Sequence, residues 1–146
     1  MTYTYKYPRP AVTVDIAIVR KVNETYELLL IQRKYNPFAG KWALPGGFVD
    51  MDETVEEAAA RELYEETNLR GIPLEQFHVF SKVDRDPRGR TISVIFTGLL
   101  SNKQEIRAKD DAQETQWFPL DELPELAFDH AEIVEKLRNK LNVDGL

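Results

Sequence analysis

Residues 47–69 read GFVDMDETVEEAAARELYEETNL and contain the clearest predicted helix of the chain. Between residues 54 and 67 there is no glycine or proline, and alanine and glutamate, both good helix formers, predominate. Asp52 or Thr54 would cap the start of this helix, and Asn68 would end it in a left-handed conformation. We therefore expect a glycine-containing loop that leads directly into a helix rich in carboxylates.

Three carboxylates of this helix are predicted to converge. At roughly 100° per residue, Glu62, Glu65 and Glu66 fall within an arc of about 100°. Like charges at this spacing repel by roughly 0.2–0.5 kcal/mol per pair, but three convergent carboxylates become favourable around a hard divalent cation. Val55 and Ala58 lie on or beside the same side, which indicates that this face turns toward a sheet. A solvated charged stripe is the alternative, and the residues alone leave both interpretations open.

The remaining segments predict the rest of the fold. Apolar runs at 11–19 and 26–33 are typical of buried strands, and the glycines and prolines of 34–49 predict a loop. Residues 77–84, 91–100 and 114–120 predict three more strands, and 128–141 predicts a second amphipathic helix. This order favours an α+β domain in which a mixed sheet lies between helices (α/β/α), with residues 1–146 forming a single domain.

The composition excludes several classes of protein. Hydrophobic residues make up 42% and charged residues 30% of the chain, which is typical of globular proteins. There is neither a signal-peptide pattern nor an apolar run of about 18 residues, so we expect a cytoplasmic protein without membrane contact. A net charge of -6 argues against a nucleic-acid partner, and the lack of cysteine excludes thiolate metal sites. The two histidines, His78 and His130, show no partner at metal-ligand spacing.

The glutamate-rich segment resembles the Nudix box. That motif runs Gly, five residues, Glu, seven residues, Arg-Glu-aliphatic, one residue, Glu-Glu, one residue, Gly, aliphatic. The matching positions are Gly47, Glu53, Arg61, Glu62, Leu63, Glu65, Glu66 and Leu69. The one departure is Asn68 in place of glycine, and asparagine is the next-best residue for a positive φ. The resemblance implies a Nudix fold and a metal-dependent hydrolase of phosphoanhydride bonds.

The resemblance also implies roles for the motif residues. Glu62, Glu65 and Glu66, together with the carbonyl of Gly47, would hold Mg²⁺ or Mn²⁺. Arg61 and Glu53 would pair and fix the loop against the helix. The family often uses a further glutamate as general base or extra ligand, and Glu114 is our candidate, with a plain loop carboxylate as the alternative. Two more carboxylates compete with it, Asp110 and Asp111.

Further segments resemble a narrower Nudix subgroup, the bacterial ADP-ribose pyrophosphatases and the Nudix-like domains of NAD-related transcription regulators. These segments are residues 10–15, 32–38, 41–47, 85–90 and 127–133. Arginines among them offer guanidinium groups for phosphates, namely Arg33, Arg85, Arg88 and Arg90, although 85–90 is equally compatible with a solvated hairpin loop. Phe38, Trp42 or Phe128 would stack on adenine, and core packing is the alternative for each.

The expected reaction is hydrolysis of ADP-ribose to AMP and ribose 5-phosphate. Two alternatives stay open: a nucleoside triphosphate pyrophosphohydrolase that sanitises nucleotides, and a non-catalytic module that senses an ADP-ribose-type ligand. The regulators carry an additional DNA-binding domain, for which we expect no room in a chain of 146 residues. The resemblance further implies a small-molecule nucleotide substrate and a possible homodimer, to which the tyrosine-rich N-terminus could contribute.

Overall fold

Seven strands and two helices make up the fold in a computed structural model that describes residues 2–109 and 111–143. In chain order they are β1 (Ala11–Val22), β2 (Thr25–Arg33), β3 (Trp42–Ala43), β4 (Gly46–Phe48), α1 (Val55–Thr67), β5 (Glu75–Phe80), β6 (Thr91–Leu99), β7 (Ala112–Pro119) and α2 (His130–Val143). Neither helix has the length and apolar character that crossing a bilayer requires, within the described ranges.

The strands form one mixed sheet with β1 at its centre. The main order is β3-β2-β1-β6-β5, while β4 pairs with β1 and β7 pairs with β2. The β1–β6 pair is parallel, and the other pairs are antiparallel. The predicted mixed sheet between helices is confirmed.

The apolar side chains of β1 alternate between two cores. Val14, Ile16 and Ile18 pack with buried residues of α1, whereas Ala17 and Val19 pack with those of α2. Each helix therefore covers one face of the sheet. This explains why β1 is an almost continuous apolar run, because a strand buried on both faces has no solvent side.

Helix α1 begins and ends as its sequence predicts. The Thr54 hydroxyl accepts a hydrogen bond from the backbone N–H of Glu57, and the Glu57 carboxylate accepts one from the N–H of Thr54. This reciprocal pair is a capping box and satisfies two N–H groups that lack helical partners. At the other end, Asn68 has φ 73° and donates its N–H to the carbonyl of Tyr64. Asn68 thus adopts the left-handed conformation for which glycine is the usual residue at a helix end.

The structure corrects several predicted boundaries. The predicted loop at 34–49 contains the short strands β3 and β4, which pair with β2 and β1 although Pro45 lies between them and Gly46 and Gly47 are part of β4. Strand β5 ends at Phe80 instead of 84, and α2 begins at His130 instead of 128. Phe128 has φ 53°, which is outside helical geometry and explains the later start.

Candidate active site

A cavity of about 390 Å³ lies where α1, strand β4 and the start of α2 meet. Its lining includes Gly46 and Gly47 from β4, Glu62 and Glu66 from α1, and Phe128 just before α2. The antiparallel pairing of β4 with β1 brings these glycines next to the carboxylate side of α1. Two of the three predicted helix glutamates therefore face one cavity.

Glu66 is a buried carboxyl group without a cationic partner among the described residues. It is 7% exposed, and its Oε1 accepts a hydrogen bond of 2.7 Å from the backbone N–H of Gly46. Burial, reinforced by the nearby negative charges of Glu62 and Asp111, raises its pKa from 4.5 to about 8. A group in this environment favours either a proton or a cation.

Glu62 lies directly against the backbone of Gly47. A Cβ atom added at Gly47 would come within 2.5 Å of Oε1 and 2.7 Å of Oε2 of this carboxylate. Burial also raises the pKa of Glu62. The absence of a side chain at residue 47 thus leaves the space that the carboxylate fills.

Glu65, the third predicted ligand, faces Arg61 instead of the cavity. Arg61 Nη1 lies 3.1 Å from Glu65 Oε2 and 2.8 Å from Glu62 Oε1, so its positive charge lies between these two carboxylates. The side chain of Glu65 is 39% exposed, compared with 14% for Glu62. The three glutamates therefore share one arc of the helix but differ in their surroundings.

Arg61 also ties the helix to the preceding loop through Glu53. Its Nη2 lies 2.5 Å from Glu53 Oε1, its Nε donates to Oε2 at 3.0 Å, and Nη2 also donates to the carbonyl of Phe48. The hydrogen bonds that Glu53 accepts from Arg61, and then the one from the backbone N–H of Asp50, lower its pKa to about 2. The expected pair is present, and it holds residues 48–53 against α1.

The oxygen donors at this end of α1 suit a hard divalent cation. Between residues 2 and 109 and between 111 and 143, no three acidic or histidine side chains are already gathered closely enough to hold an ion. The fit is instead indicated by the buried, unpaired Glu66 and by the close approach of Glu62 to Gly47. Occupying the site would require Glu62 and Glu65 to exchange their contacts with Arg61 for contacts with the ion.

Of the two described candidates for the additional carboxylate, Asp111 lines the cavity and Glu114 does not. Asp111 lines the cavity close enough for its charge to affect both Glu62 and Glu66. Glu114 is exposed on β7, one residue before Thr115, and strand alternation directs it to the opposite face from Trp117, which packs on the α1 side. The position of Asp111, already a competing candidate, therefore suits the predicted role better than that of Glu114, and Asp110 lies outside the described residues.

The predicted arginines differ in which groups they already bind. Arg85 is bonded through two nitrogens to Asp129, and Arg88 through two nitrogens to Asp86. Arg33 uses only Nε, which donates to the carbonyl of Pro37 at 2.7 Å, and both burial and the charge of Arg88 lower its pKa. Arg33 is thus the one of these three whose terminal nitrogens have no protein acceptor in the part of the chain that is described.

The solvated-loop interpretation of 85–90 is wrong at its start. Arg85 and Asp86 are 8% and 6% exposed, because the loop folds back onto the cavity. Arg90, by contrast, is exposed and donates to the carbonyl of Ser81. Arg85 therefore does not offer an open guanidinium group to a phosphate, contrary to our prediction.

Phe128 is the predicted aromatic residue that the cavity exposes. Phe38 packs edge-on behind it, with 4.8 Å between ring centroids, and Trp42 packs on Phe118 in the α2 core. The guanidinium carbons of Arg33 and Arg88 lie 4.9 and 5.4 Å from the Phe128 ring centroid. Arg88 also lies 4.8 Å from the ring of Phe48. We call Arg33, Phe48, Arg88 and Phe128 the arginine–aromatic wall.

The sequence interpretation missed a buried polar cluster of Asp15, Ser93 and His130, in which Asp15 and His130 line the cavity. Asp15 accepts a 2.5 Å hydrogen bond from the Ser93 hydroxyl and lies 3.5 Å from Nε2 of His130. His130 accepts the backbone N–H of Leu44 through Nδ1, and burial lowers its pKa. A single carboxylate within the apolar run at 11–19 was the available signal, since an isolated charge in a buried strand needs partners.

In the metal-free protein, the contribution of Glu66 to folding stability should fall as the pH rises. Because the folded-state pKa of Glu66 exceeds its ordinary value, the protonated form favours folding; that contribution is complete below pH 4.5 and is lost as the pH rises through about 8. In EDTA, the difference in unfolding free energy between wild type and Glu66→Gln should change by about 1 kcal/mol per pH unit within that window. Urea unfolding at pH 5 to 9 measures it, and a constant difference would contradict the environment described for Glu66.

Comparisons with known proteins agree with this geometry. A NUDIX domain model matches residues 10–137. An ADP-ribose pyrophosphatase of Methanocaldococcus jannaschii is 50% identical over 129 residues, covering 88% of this chain and 73% of the relative. The ADPR responsive transcriptional repressor NtrR of Acinetobacter baylyi is 35% identical over 140 residues, covering 93% of this chain and 56% of the relative. The NUDIX domain of Shewanella oneidensis NrtR, solved with ADP ribose, superposes with a TM-score of 0.87 at 33% identity, covering 95% and 94% of the two chains.

Proposed function

This chain belongs to the Nudix family, and from that premise we propose that it hydrolyses ADP-ribose to AMP and ribose 5-phosphate with the help of a divalent cation. The observation that carries the proposal is one cavity with the carboxylates of Glu62 and Glu66 on one side and the arginine–aromatic wall on another. Carboxylates hold the cation, guanidinium groups bind phosphate, and an aromatic ring stacks on adenine. The relative of 50% identity acts on the same substrate according to its name.

We assign the metal ligands to Glu62, Glu65, Glu66 and the carbonyl of Gly47, and we propose Mg²⁺ or Mn²⁺ as the ion. When bound, the ion supplies neutralisation of the pyrophosphate and acidification of a water molecule. Burial of Glu66 strengthens this interaction, because a buried carboxylate gains more from a cation than a solvated one. The ion pair of Arg61 and Glu53 fixes the position of the glycine loop relative to the carboxylate helix.

The arginine–aromatic wall would bind the substrate portion away from the cation. Arg33 directs its open nitrogens to a phosphate oxygen, and Nε remains bonded to the Pro37 carbonyl, which fixes the orientation of the guanidinium plane. Phe128 offers a ring for stacking. Arg88 has less capacity for phosphate, because Asp86 already accepts two of its hydrogen bonds.

Hydrolysis adds one water molecule across the phosphoanhydride bond. The water oxygen bonds to phosphorus, the bridging P–O bond breaks, and a carboxylate accepts the proton that the water loses. Asp15, Asp86 and Asp111 line the cavity from outside the motif at 47–69. Asp15 is bonded to Ser93 and Asp86 to Arg88, so we propose Asp111 as this base. Glu114 is exposed and does not line the cavity, so it could act as the base only if the side chains of β7 changed the face to which they point.

We further propose that the protein acts in the cytoplasm as a homodimer on a small nucleotide and not on nucleic acid. The net charge of -6 disfavours a polyanionic partner. Three exposed tyrosines near the N-terminus, Tyr3, Tyr5 and Tyr7, support an interface with a second copy.

An ADP-ribose-sensing module is the second candidate, because the superposed NUDIX domain belongs to NrtR and was solved with ADP ribose. Such a module requires binding without turnover. The two candidates differ in whether AMP is released, and the substrate assay below distinguishes them.

ADP-ribose should be the preferred substrate in a panel with NADH, a dinucleoside polyphosphate and 8-oxo-dGTP. We expect kcat/KM for ADP-ribose to exceed that for the triphosphate by about 10²-fold or more, since the cavity offers the arginine–aromatic wall for a second group beyond the carboxylates that would hold the cation. Chromatography of products with Mg²⁺, with Mn²⁺ and with EDTA measures this. Faster release of pyrophosphate from the triphosphate would favour the nucleotide-sanitising alternative, and tight binding without any product would favour the sensing module.

A further inference from the structure

Arg85 and Asp129 form a buried ion pair next to the arginine–aromatic wall, and of the two only Arg85 is part of the cavity lining. Arg85 Nε donates to Asp129 Oδ2 at 2.9 Å, and Nη2 donates to Oδ1 at 2.7 Å. The side chains are only 3% and 10% exposed, and Asp15 Oδ2 lies a further 4.0 Å from Nη2. This is the two-point geometry that arginine makes with a carboxylate, and it fixes both orientation and distance.

The pair joins two segments that each carry part of the wall. Arg85 precedes Asp86, which binds both the backbone N–H and the guanidinium of Arg88. Asp129 directly follows Phe128. The ion pair therefore sets the separation between the loop that carries Arg88 and the residue that presents its ring to the cavity.

Phe128 has a backbone conformation that needs such support. Its φ of 53° is in the left-handed region, which a residue with a bulky side chain seldom adopts. The two residues after it are both held, Asp129 by Arg85 and His130 by the Leu44 N–H at 3.0 Å. Strained conformations persist where the surroundings overdetermine them, and they concentrate at binding sites.

We propose that Arg85 and Asp129 act as a positioning pair that sets the affinity of the arginine–aromatic wall for the substrate. The inference rests on the proposed function, since it takes ADP-ribose as the molecule that the wall binds. Neither residue needs to touch the reacting atoms, because the glutamates of α1 that would bind the cation lie on the other side of the cavity. Losing the pair should therefore weaken substrate binding and leave the rate at saturation nearly unchanged.

The test compares Asp129→Asn, Arg85→Lys and the double variant Arg85→Met/Asp129→Leu in the full chain. The double variant removes both charges of the pair together, so neither partner is left as a lone buried charge, and Asp15 keeps its hydrogen bond from Ser93. The experiment therefore stays informative if the single variants fold poorly. We expect KM for ADP-ribose to rise about tenfold or more and kcat to stay within about threefold. Arg85→Lys should raise KM less than the double variant does, because lysine keeps the positive charge but not the two-point geometry.

The matched control is Arg20→Met/Glu27→Leu, which removes an ion pair of 2.8 Å between β1 and β2 away from the cavity lining. Its KM should equal that of wild type. Hydrogen exchange provides a readout that is independent of any substrate, and amides at 85–90 and 127–130 should exchange faster in the double variant only. An unchanged KM in the folded double variant, or a fall in kcat at constant KM, would overturn the proposal. If wild type fails to hydrolyse ADP-ribose, the proposed function fails, and unchanged exchange in these two segments would then overturn the positioning pair separately.

Discussion

Glu66→Gln should reduce metal-dependent turnover of ADP-ribose by about 10³-fold, the scale that several kcal/mol of lost transition-state stabilisation implies. Glutamine has nearly the shape of a protonated glutamic acid, and its side-chain oxygen can still accept the Gly46 N–H that Glu66 Oε1 accepts at 2.7 Å. It cannot carry the negative charge that a divalent cation requires. The variant should therefore fold but bind the ion poorly, and steady-state kinetics over a range of Mg²⁺ concentrations measure the loss.

Glu56→Gln on the same helix is the matched control. Glu56 is exposed and bonds only to the side chain of Gln76 among the described contacts. It should retain wild-type turnover at every Mg²⁺ concentration. Full activity in Glu66→Gln would show that the buried carboxylate of α1 is not a metal ligand, and equal losses in both variants would indicate an effect of helix charge alone.

Two neighbouring substitutions should differ in what they impair: Gly47→Ala should lower activity, and Gly46→Ala should lower stability. The three atoms nearest to a Cβ at Gly47 are the carboxylate atoms of Glu62, at 2.5 to 2.7 Å, and that flexible side chain can move aside. A Cβ at Gly46 overlaps the backbone carbonyl of Val14 in β1, which cannot move without disturbing the sheet. Gly47→Ala should thus keep its stability and lose about 10²-fold in kcat/KM, because Glu62 leaves its position.

Gly46→Ala should instead lose about 3 kcal/mol of unfolding free energy, the upper part of the range for overpacked interiors. Thermal or urea unfolding and ADP-ribose hydrolysis, measured on both variants, give the comparison. The account of this loop would be contradicted if Gly47→Ala retained full activity, or if Gly46→Ala were as stable as wild type.

The helix and its caps could be predicted because local physical rules determine them. The capping residue Thr54 and the left-handed Asn68 follow from side-chain chemistry and from the tolerance of asparagine for positive φ. The grouping of Glu62 and Glu66 follows from helical periodicity. The burial of β1 likewise follows from the apolar run at 11–19, which only Thr13 and Asp15 interrupt.

Contacts between distant segments could not be predicted in the same way. The sequence predicted that Arg85 either binds phosphate or lies in a solvated loop. Only the fold shows that it bonds to Asp129, 44 residues later in the chain. Glu114 and Asp111 are three residues apart, and which of them faces the cavity depends on the strand pairing and on a register shift between Gln32 and Arg33 in β2. One position of register reverses the face to which a side chain points, and the amino-acid pattern of β7 does not specify it.

Phosphorus NMR of ADP-ribose incubated with the protein and Mg²⁺, followed by addition of EDTA, tests the central claim most directly. We predict that the pyrophosphate resonances give way to two phosphomonoester resonances, those of AMP and ribose 5-phosphate, and that EDTA stops the conversion at once. Glu66→Gln should leave the pyrophosphate resonances unchanged over the same time. Cleavage that continues in EDTA, or at the same rate in Glu66→Gln, would contradict a metal-dependent hydrolase built on the glutamates of α1.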